Sequence, residues 1–256
     1  MNVLVIAGLD PSGGAGLVAD VRVCEQHGAR PMAVATALTE QTTVELRAAN
    51  VVSHETVGDQ LRAILSDVEI DAVKIGMLGS MLVAEQVARA LELTAARVVW
   101  DPVGRPTRGH VALFEGDLRE AAALLAPHVT LVTPNADEAV LLAGGPAAIS
   151  TLADAAAVAQ ALRGLGFAGV LVKGGHWGAD AIDLLLAGAG APVVLAGPRL
   201  VTDGPVHGTG CALATAIACN LATGCDLEAA CRAGKSYVAS RIAAAVRPGR
   251  GRQAVL

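Results

Sequence analysis

Short apolar runs rich in Val and Ile alternate with longer Ala-rich amphipathic segments along nearly the whole chain. That rhythm predicts βαβ units around a mainly parallel sheet. The spacing predicts strands over 2–7, 32–38, 72–75, 98–101, 129–133 and 169–173. None of them alternates polar with apolar, as suits parallel strands covered by helices on both faces, so all are expected to be fully buried. Helices are predicted between them over 16–27, 56–67, 80–93, 118–125, 137–143 and 152–165. Past Lys173 the rhythm changes. The runs 181–186, 193–195 and 199–201 are separated by Gly and Pro rather than by helices, which predicts antiparallel strands at one edge. Two long helices, 209–223 and 227–246, would close the fold.

Composition narrows this picture. Apolar residues make up 53% of the 256, yet only two Trp, one Tyr and two Phe are among them. The core must therefore be built from Ala, Val and Leu, which favours tight packing of helices on a sheet. The length suits one α/β domain over 1–256, with no linker or repeat to divide it. A net charge of −5 with scattered cations argues against a nucleic-acid surface, which needs clustered Lys and Arg. The one basic cluster, Arg247, Arg250 and Arg252, lies among Pro248 and two glycines and is expected to be a frayed, solvated tail. Cys24, Cys211, Cys219, Cys225 and Cys231 are odd in number and lack the paired short spacings of a zinc site. They fit a reduced cytosolic compartment. The opening MNVLVIAGLD is too short and uncharged for a signal peptide, and no apolar run approaches the roughly 18 residues needed to span a bilayer. A soluble cytoplasmic protein with no membrane partner is expected.

The candidate chemistry collects where an open α/β sheet binds ligands, in the loops leaving the strands. The first strand exits into Ala7-Gly8-Leu9-Asp10-Pro11-Ser12-Gly13-Gly14-Ala15-Gly16, which is neither a Walker A loop nor a dinucleotide fingerprint. It is either a permissive turn or a place where backbone approaches a small ligand, with Asp20 one turn into the next helix able to reach it. Gln41, in a polar cluster after the second strand, could read the paired donor and acceptor edge of a heterocycle, although a solvated loop is the plainer reading. Met77, after the third strand, could lie against a flat ring or belong to the core. Asp101 ends the fourth strand, and Asn135 with Glu138 follows the fifth. Carboxylates so placed suit a hydrated magnesium ion held through few protein ligands, while Asp137 and Glu138 equally suit the first turn of a helix. Lys173 ends the sixth strand before Gly174, Gly175 and His176, offering a cation near any phosphate. Last, Val206-His207-Gly208-Thr209-Gly210-Cys211 opens a long apolar helix, whose uncapped N–H groups and dipole can hold an anion. The same field is expected to lower the pKa of Cys211, leaving it either reactive or a plain buried residue. Together these features describe phosphoryl transfer, which needs charge neutralisation and in-line positioning more than covalent groups.

With these residues assembled, the chain resembles the hydroxymethylpyrimidine and phosphomethylpyrimidine kinases of thiamin biosynthesis, in the ribokinase-like superfamily. The resemblance rests on AGLDPSGGAG with Asp20, ALTEQTT with Gln41, KIGM, DPV at Asp101, TPNADEA, VKGGH and HGTGC, in the family's order over almost the full length. It implies a three-layer α/β/α sandwich, and ATP-dependent phosphorylation of 4-amino-5-hydroxymethyl-2-methylpyrimidine and then of its monophosphate, with Mg2+ and in a homodimer. Gly8, Asp20, Gln41, Met77 and Val103 would line the pyrimidine pocket. Asn135 and Glu138 would serve magnesium and, with Asp101, the nucleotide phosphates, while Lys173 would neutralise the transferring group. Gly208, Thr209 and Gly210 would form the anion hole, and Cys211, where sugar kinases of the superfamily carry an aspartate, would act as base toward the hydroxymethyl group. The chain departs from the family at Gly104, where a methionine is usual, at Arg108-Gly109, where a Lys-Ser-Gly lid is usual, and at Val206, where threonine is usual. A pyridoxal kinase of the same fold, or a vitamin-binding protein without turnover, would share much of this pattern.

Overall fold

A computed structural model describes residues 1–104, 111–144, 148–174 and 181–255. Its elements, in chain order, begin with β1 (Asn2–Leu9), α1 (Gly16–Gln26), β2 (Arg30–Gln41), β3 (Leu46–Val51), α2 (His54–Asp67), β4 (Ala72–Ile75) and β5 (Gly79–Ser80). They continue with α3 (Met81–Leu91), β6 (Arg97–Trp100), β7 (Phe114–Glu115), α4 (Leu118–Leu125), β8 (Leu131–Val132), α5 (Ala136–Ala143) and α6 (Leu152–Gly164). The last are β9 (Gly169–Gly174), β10 (Ala181–Ala187), β11 (Val193–Gly197), α7 (Thr209–Ala222) and α8 (Leu227–Ala243).

Nine strands form one sheet in the order β11-β10-β9-β8-β6-β4-β1-β2-β3. The six from β9 to β2 run parallel, and the antiparallel pairs β9/β10, β10/β11 and β2/β3 lie at the two edges. Helices α1, α7 and α8 pack together on one face and α2 to α6 on the other, giving the expected three layers. The interior strands read as continuous apolar runs because both faces are covered: β1 buries Val3 through Ala7 and β4 buries all of Ala72–Ile75. α7 is apolar almost all round, since it lies between the sheet and α1 and α8. There Gly234 of α8 permits close approach, because a Cβ would stand 2.8 Å from Ile217 Cγ1.

Departures from the expected elements have local causes. β2 is not fully buried: it outruns the sheet core, exposing Leu38, and pairs with β3, an edge strand whose mixed pattern did not announce it. The run 199–201 is not a strand; it follows Pro198, and Val201 is fully exposed. β8 is shortened to Leu131–Val132 because a 3-10 turn, Ala126–His128 with Pro127, occupies the preceding chain. The C-terminal segment is not frayed throughout. Arg252 N–H donates to the Thr43 carbonyl, Ala254 N–H donates to the Val246 carbonyl, and Ala254 and Val255 are buried.

Candidate active site

The chain leaves β1 in one direction for β2 and in the other for β4, so the carboxyl end of β1 lies at the switch point where α/β sheets bind ligands. Two helices start there, and they differ from the rest. α2, α3, α4, α5, α6 and α8 each begin with a Ser, Asp, Asn or Thr side chain accepting a backbone N–H. α1 begins at Ala15 and α7 at Gly208, neither with a side-chain cap. At α1 the Ala15 N–H is taken by Asp10 Oδ2, so it is the first N–H groups of α7 that are placed to meet a ligand.

Glycines bring these two starts together. Gly208 has φ +83, and a Cβ on it would stand 1.9 Å from the Gly14 carbonyl oxygen, so only glycine fits both the left-handed backbone and the contact. Gly16, at φ +58, likewise lies against the Gly8 carbonyl, where a Cβ would be 2.2 Å away. The Gly16 N–H also hydrogen-bonds the Cys211 sulfur, which brings the first turn of α7 beside the β1 loop.

On the other side of α7, a Cβ on Gly210 would lie 3.2 Å from Lys173 Nζ and 3.5 Å from Asp101 Oδ2. Lys173 Nζ donates to Asp101 Oδ1 at 2.6 Å, with side-chain exposures of 16% and 3%. Burial works against the Lys173 charge, but Asp101 and Glu138 outweigh it and hold its pKa above the usual lysine range. Asn135 and Glu138 form a reciprocal cap: Asn135 Oδ1 accepts the Glu138 N–H at 2.9 Å, and Glu138 Oε2 accepts the Asn135 N–H at 2.8 Å. The helix-start reading of Glu138 is therefore met. Its carboxyl is nevertheless pushed up to about 7, by burial and by the like charge of Asp101, against the pull of Lys173. Asn135 and Lys173 are bridged through backbone, so α5 and β9 deliver these groups to one place.

Toward β2, Gly8, Met77 and Val103 come together. A Cβ on Gly8 would meet Met77 Sδ at 3.1 Å, and Met77 shares a small apolar cluster with Val103, Ala37 and Leu113. Gln41 reaches back to the β1 loop, where its Nε2 donates to Asp10 Oδ2 at 3.0 Å.

Two expectations are corrected. Asp20 does not line the pocket: it is wholly buried, accepting Lys74 Nζ at 2.5 Å and Thr215 Oγ1 at 2.7 Å. Asp20 holds the pKa of wholly buried Lys74 up against the effect of burial, so this is an internal ion pair. The Cys211 thiol is not lowered by the helix start. Burial, with Asp20 and Asp101 adding to it, pushes it up to about 11 against the pull of Lys74 and the Gly16 N–H. Gln41 gives one Nε2 hydrogen to Asp10, and its second N–H and Oε1 still form a donor and acceptor edge. Asp10, Lys74, Thr215 and the side chain of His207 carry none of the expected roles; only the position of Asp10 and His207 inside glycine-rich loops hinted at them. Arg108, Gly109, Gly175 and His176 lie outside the described residues.

The fold, with an uncapped helix start beside a lysine–aspartate pair at the carboxyl end of the sheet, suits the class of an α/β small-molecule kinase. Solved relatives agree. The phosphomethylpyrimidine kinase of Clostridium difficile 630 superposes with TM-score 0.81 at 31% identity, covering 94% of this chain and 99% of that one. The pyridoxal kinase of Staphylococcus aureus, in complex with AMP-PCP and pyridoxal, gives 0.87 at 28% identity, covering 99% and 92%. Within that class, the phosphomethylpyrimidine kinase family model matches residues 10–256, and the chain belongs to that family. The hydroxymethylpyrimidine/phosphomethylpyrimidine kinase of Streptomyces coelicolor is 39% identical over 242 residues, 94% of this chain and 88% of that protein.

Proposed function

We propose that this chain is a one-domain kinase of thiamin biosynthesis that moves the terminal phosphoryl group of ATP to 4-amino-5-hydroxymethyl-2-methylpyrimidine and then to its monophosphate. One observation carries the reading: the uncapped start of α7, with Gly210 against the Lys173–Asp101 pair, packs on the loop after β1, whose Gly8 abuts Met77 in an apolar cluster with Val103. Family membership and the likeness to a kinase named with an ATP analogue support ATP as donor.

Each group then has a task. The N–H groups of Gly208, Thr209 and Gly210 hold the transferring phosphate, and Lys173 neutralises its charge. Asp101 holds Lys173 in place. Cys211, as thiolate, takes the proton of the hydroxymethyl group in the first step; the monophosphate is already ionised and needs no base in the second. The donor set fits a hydrated magnesium ion. Glu138 keeps Oε1 outside its cap, and the burial that raises its pKa favours a nearby cation. Asn135, whose Oδ1 serves the cap, would orient Glu138 more than it would ligate. Magnesium, when bound there, would supply further neutralisation of phosphate charge.

A homodimer in the cytoplasm completes the reading. It is supported by exposed Leu38 and Val44 on the β2–β3 edge, by five free cysteines, and by the absence among the described residues of a helix long and apolar enough to cross a membrane. A coupled assay with ATP and magnesium, offering hydroxymethylpyrimidine, its monophosphate and pyridoxal separately, tests the function. Turnover of the first two ahead of pyridoxal is expected. Preference for pyridoxal, or no turnover of any, would overturn the reading.

A further inference from the structure

The phosphoryl-transfer roles leave one polar network unused, that of Asp10, His207 and Gln41. Asp10 is 4% exposed in the loop after β1. Its Oδ1 accepts the Ser12 N–H at 2.8 Å and the Ser12 hydroxyl at 2.7 Å. Its Oδ2 accepts the Ala15 N–H at 3.2 Å and Gln41 Nε2 at 3.0 Å, and lies 3.0 Å from His207 Nε2. Burial would raise the Asp10 pKa, but the bonds from His207 and Ser12 outweigh it and hold the carboxyl below its ordinary range. Asp10 is thus an ionised acceptor with no proton to give.

That fixes its neighbours. Three N–H groups, from Ala15, Gln41 and His207, converge on Oδ2, so the 3.1 Å between Gln41 Nε2 and His207 Nε2 separates two donors sharing one acceptor. Exchanging the ends of the Gln41 amide would set its oxygen against Oδ2 at 3.0 Å, lone pair against lone pair. The nitrogen must face Asp10, and Oε1 is the end turned away from that carboxylate. His207 is itself pinned, because its N–H donates to the Gln253 carbonyl and its carbonyl accepts the Val255 N–H. A Cβ on Gly14 would stand 2.6 Å from His207 Cδ2, so glycine there leaves room for the ring.

We infer that Asp10 is a positioning residue that locks the Gln41 amide with its oxygen toward the ligand, and so selects a heterocycle presenting an amino donor over one presenting a carbonyl at the same place. The inference rests on the pyrimidine-kinase reading and deepens it. An exocyclic amino group donates to Oε1, whereas a ring carbonyl would meet it acceptor to acceptor.

Asp10→Asn makes the test sharp. The two short bonds from the Ser12 N–H and hydroxyl keep an oxygen at the Oδ1 place and the longer 3.2 Å bond from the Ala15 N–H is given up, so the new NH2 takes the Oδ2 place, where His207 can change tautomer and the Gln41 amide must turn over to accept from it. The measurement is the ratio of kcat/KM for 4-amino-5-hydroxymethyl-2-methylpyrimidine to that for its 4-oxo analogue. The unmodified chain should favour the amino compound, and Asp10→Asn should lower the ratio by roughly tenfold to a hundredfold. In a Gln41→Leu background the same change should leave the ratio where Gln41→Leu alone puts it, because Asp10 acts through the amide. Should Asp10→Asn not fold, Gln41→Leu alone must still collapse the ratio toward one. A ratio unmoved by Asp10→Asn, or by Gln41→Leu, would overturn the inference while leaving the kinase reading intact. Absence of turnover of the amino compound by the unmodified chain would overturn both.

Discussion

Two lysine–aspartate pairs lie near the first turns of α7, one with its lysine on β4 and the other with its lysine on β9, and they are chemically alike and physically opposite. Lys74 and Asp20 are both wholly buried, with Thr215 closing the second carboxylate oxygen. Lys173 keeps 16% of its side chain exposed beside Gly210, where an anion can reach it. A sealed pair can only hold the fold and set the field around its neighbours, whereas an open pair can exchange a protein partner for a ligand. Burial, more than residue type, separates scaffold from machinery here.

Lys74→Met should give the largest effect, on stability. It leaves the Asp20 carboxylate buried without its cation, which costs about 3–5 kcal/mol in comparable cases. Urea unfolding should show this loss, and adding Asp20→Leu should recover most of it, since apolar replacement of both members is tolerated. If Lys74→Met leaves stability unchanged, the sealed pair has no scaffold role. Lys173→Met should do the reverse, lowering kcat by roughly 10²–10³ as for loss of an electrostatic stabiliser of transferring charge. Its stability should fall by no more than about 1–2 kcal/mol, because water can reach Asp101 once the lysine is gone. A variant that kept its kcat would deny Lys173 any part in transfer.

Gly208→Ala probes what joins the open pair to the β1 loop. The new Cβ meets the Gly14 carbonyl and strains a residue at φ +83, so α7 must shift. A displacement near 1 Å costs about a hundredfold in a positioned reaction, and kcat should fall toward that figure for both substrates alike. Unequal losses for the alcohol and the monophosphate would mean that Gly208 serves one step only.

The same contrast explains how much was legible beforehand. Periodicity placed Leu118–Leu125 and Ala72–Ile75 without error, because their burial follows directly from apolar spacing. It missed β3, which stands at an edge and packs little against the core, and it read a strand at 199–201 that has no neighbour to pair with. At the site, the loops at the strand ends were visible because glycine and polar residues interrupt apolar runs there. Which carboxylate faces inward was not. Asp20 and Asp101 look equally available along the chain, and only the arrival of Lys74 from β4 and Thr215 from α7 closes the first. Those partners lie 54 and 195 residues away, beyond the reach of any local pattern. The Asp10–Gln41–His207 network was hidden for the same reason, with His207 lying 197 residues from Asp10.

Cys211 lies within the field of both pairs and offers the finest test. Lys74 favours its thiolate, while Asp20 and Asp101 oppose it, and burial leaves the thiol at about 11. Were the thiolate the base, the first phosphorylation should rise about tenfold per pH unit from neutrality toward that value, because the ionised fraction does. The second step should lack this limb, since its nucleophile is already charged, and Cys211→Ala should slow the first step far more than the second. Stability moves the other way. The thiol ionises near 8.5 in the unfolded chain and near 11 in the fold, so the unfolded state binds fewer protons between those values, and stability falls as pH rises through that window. Cys211→Ala should remove that part of the decline, which unfolding curves at pH 8 and pH 10.5 can resolve. A first step without the steep limb would take the base role from Cys211, and equal loss of both steps in Cys211→Ala would make the thiol a packing residue of the helix start.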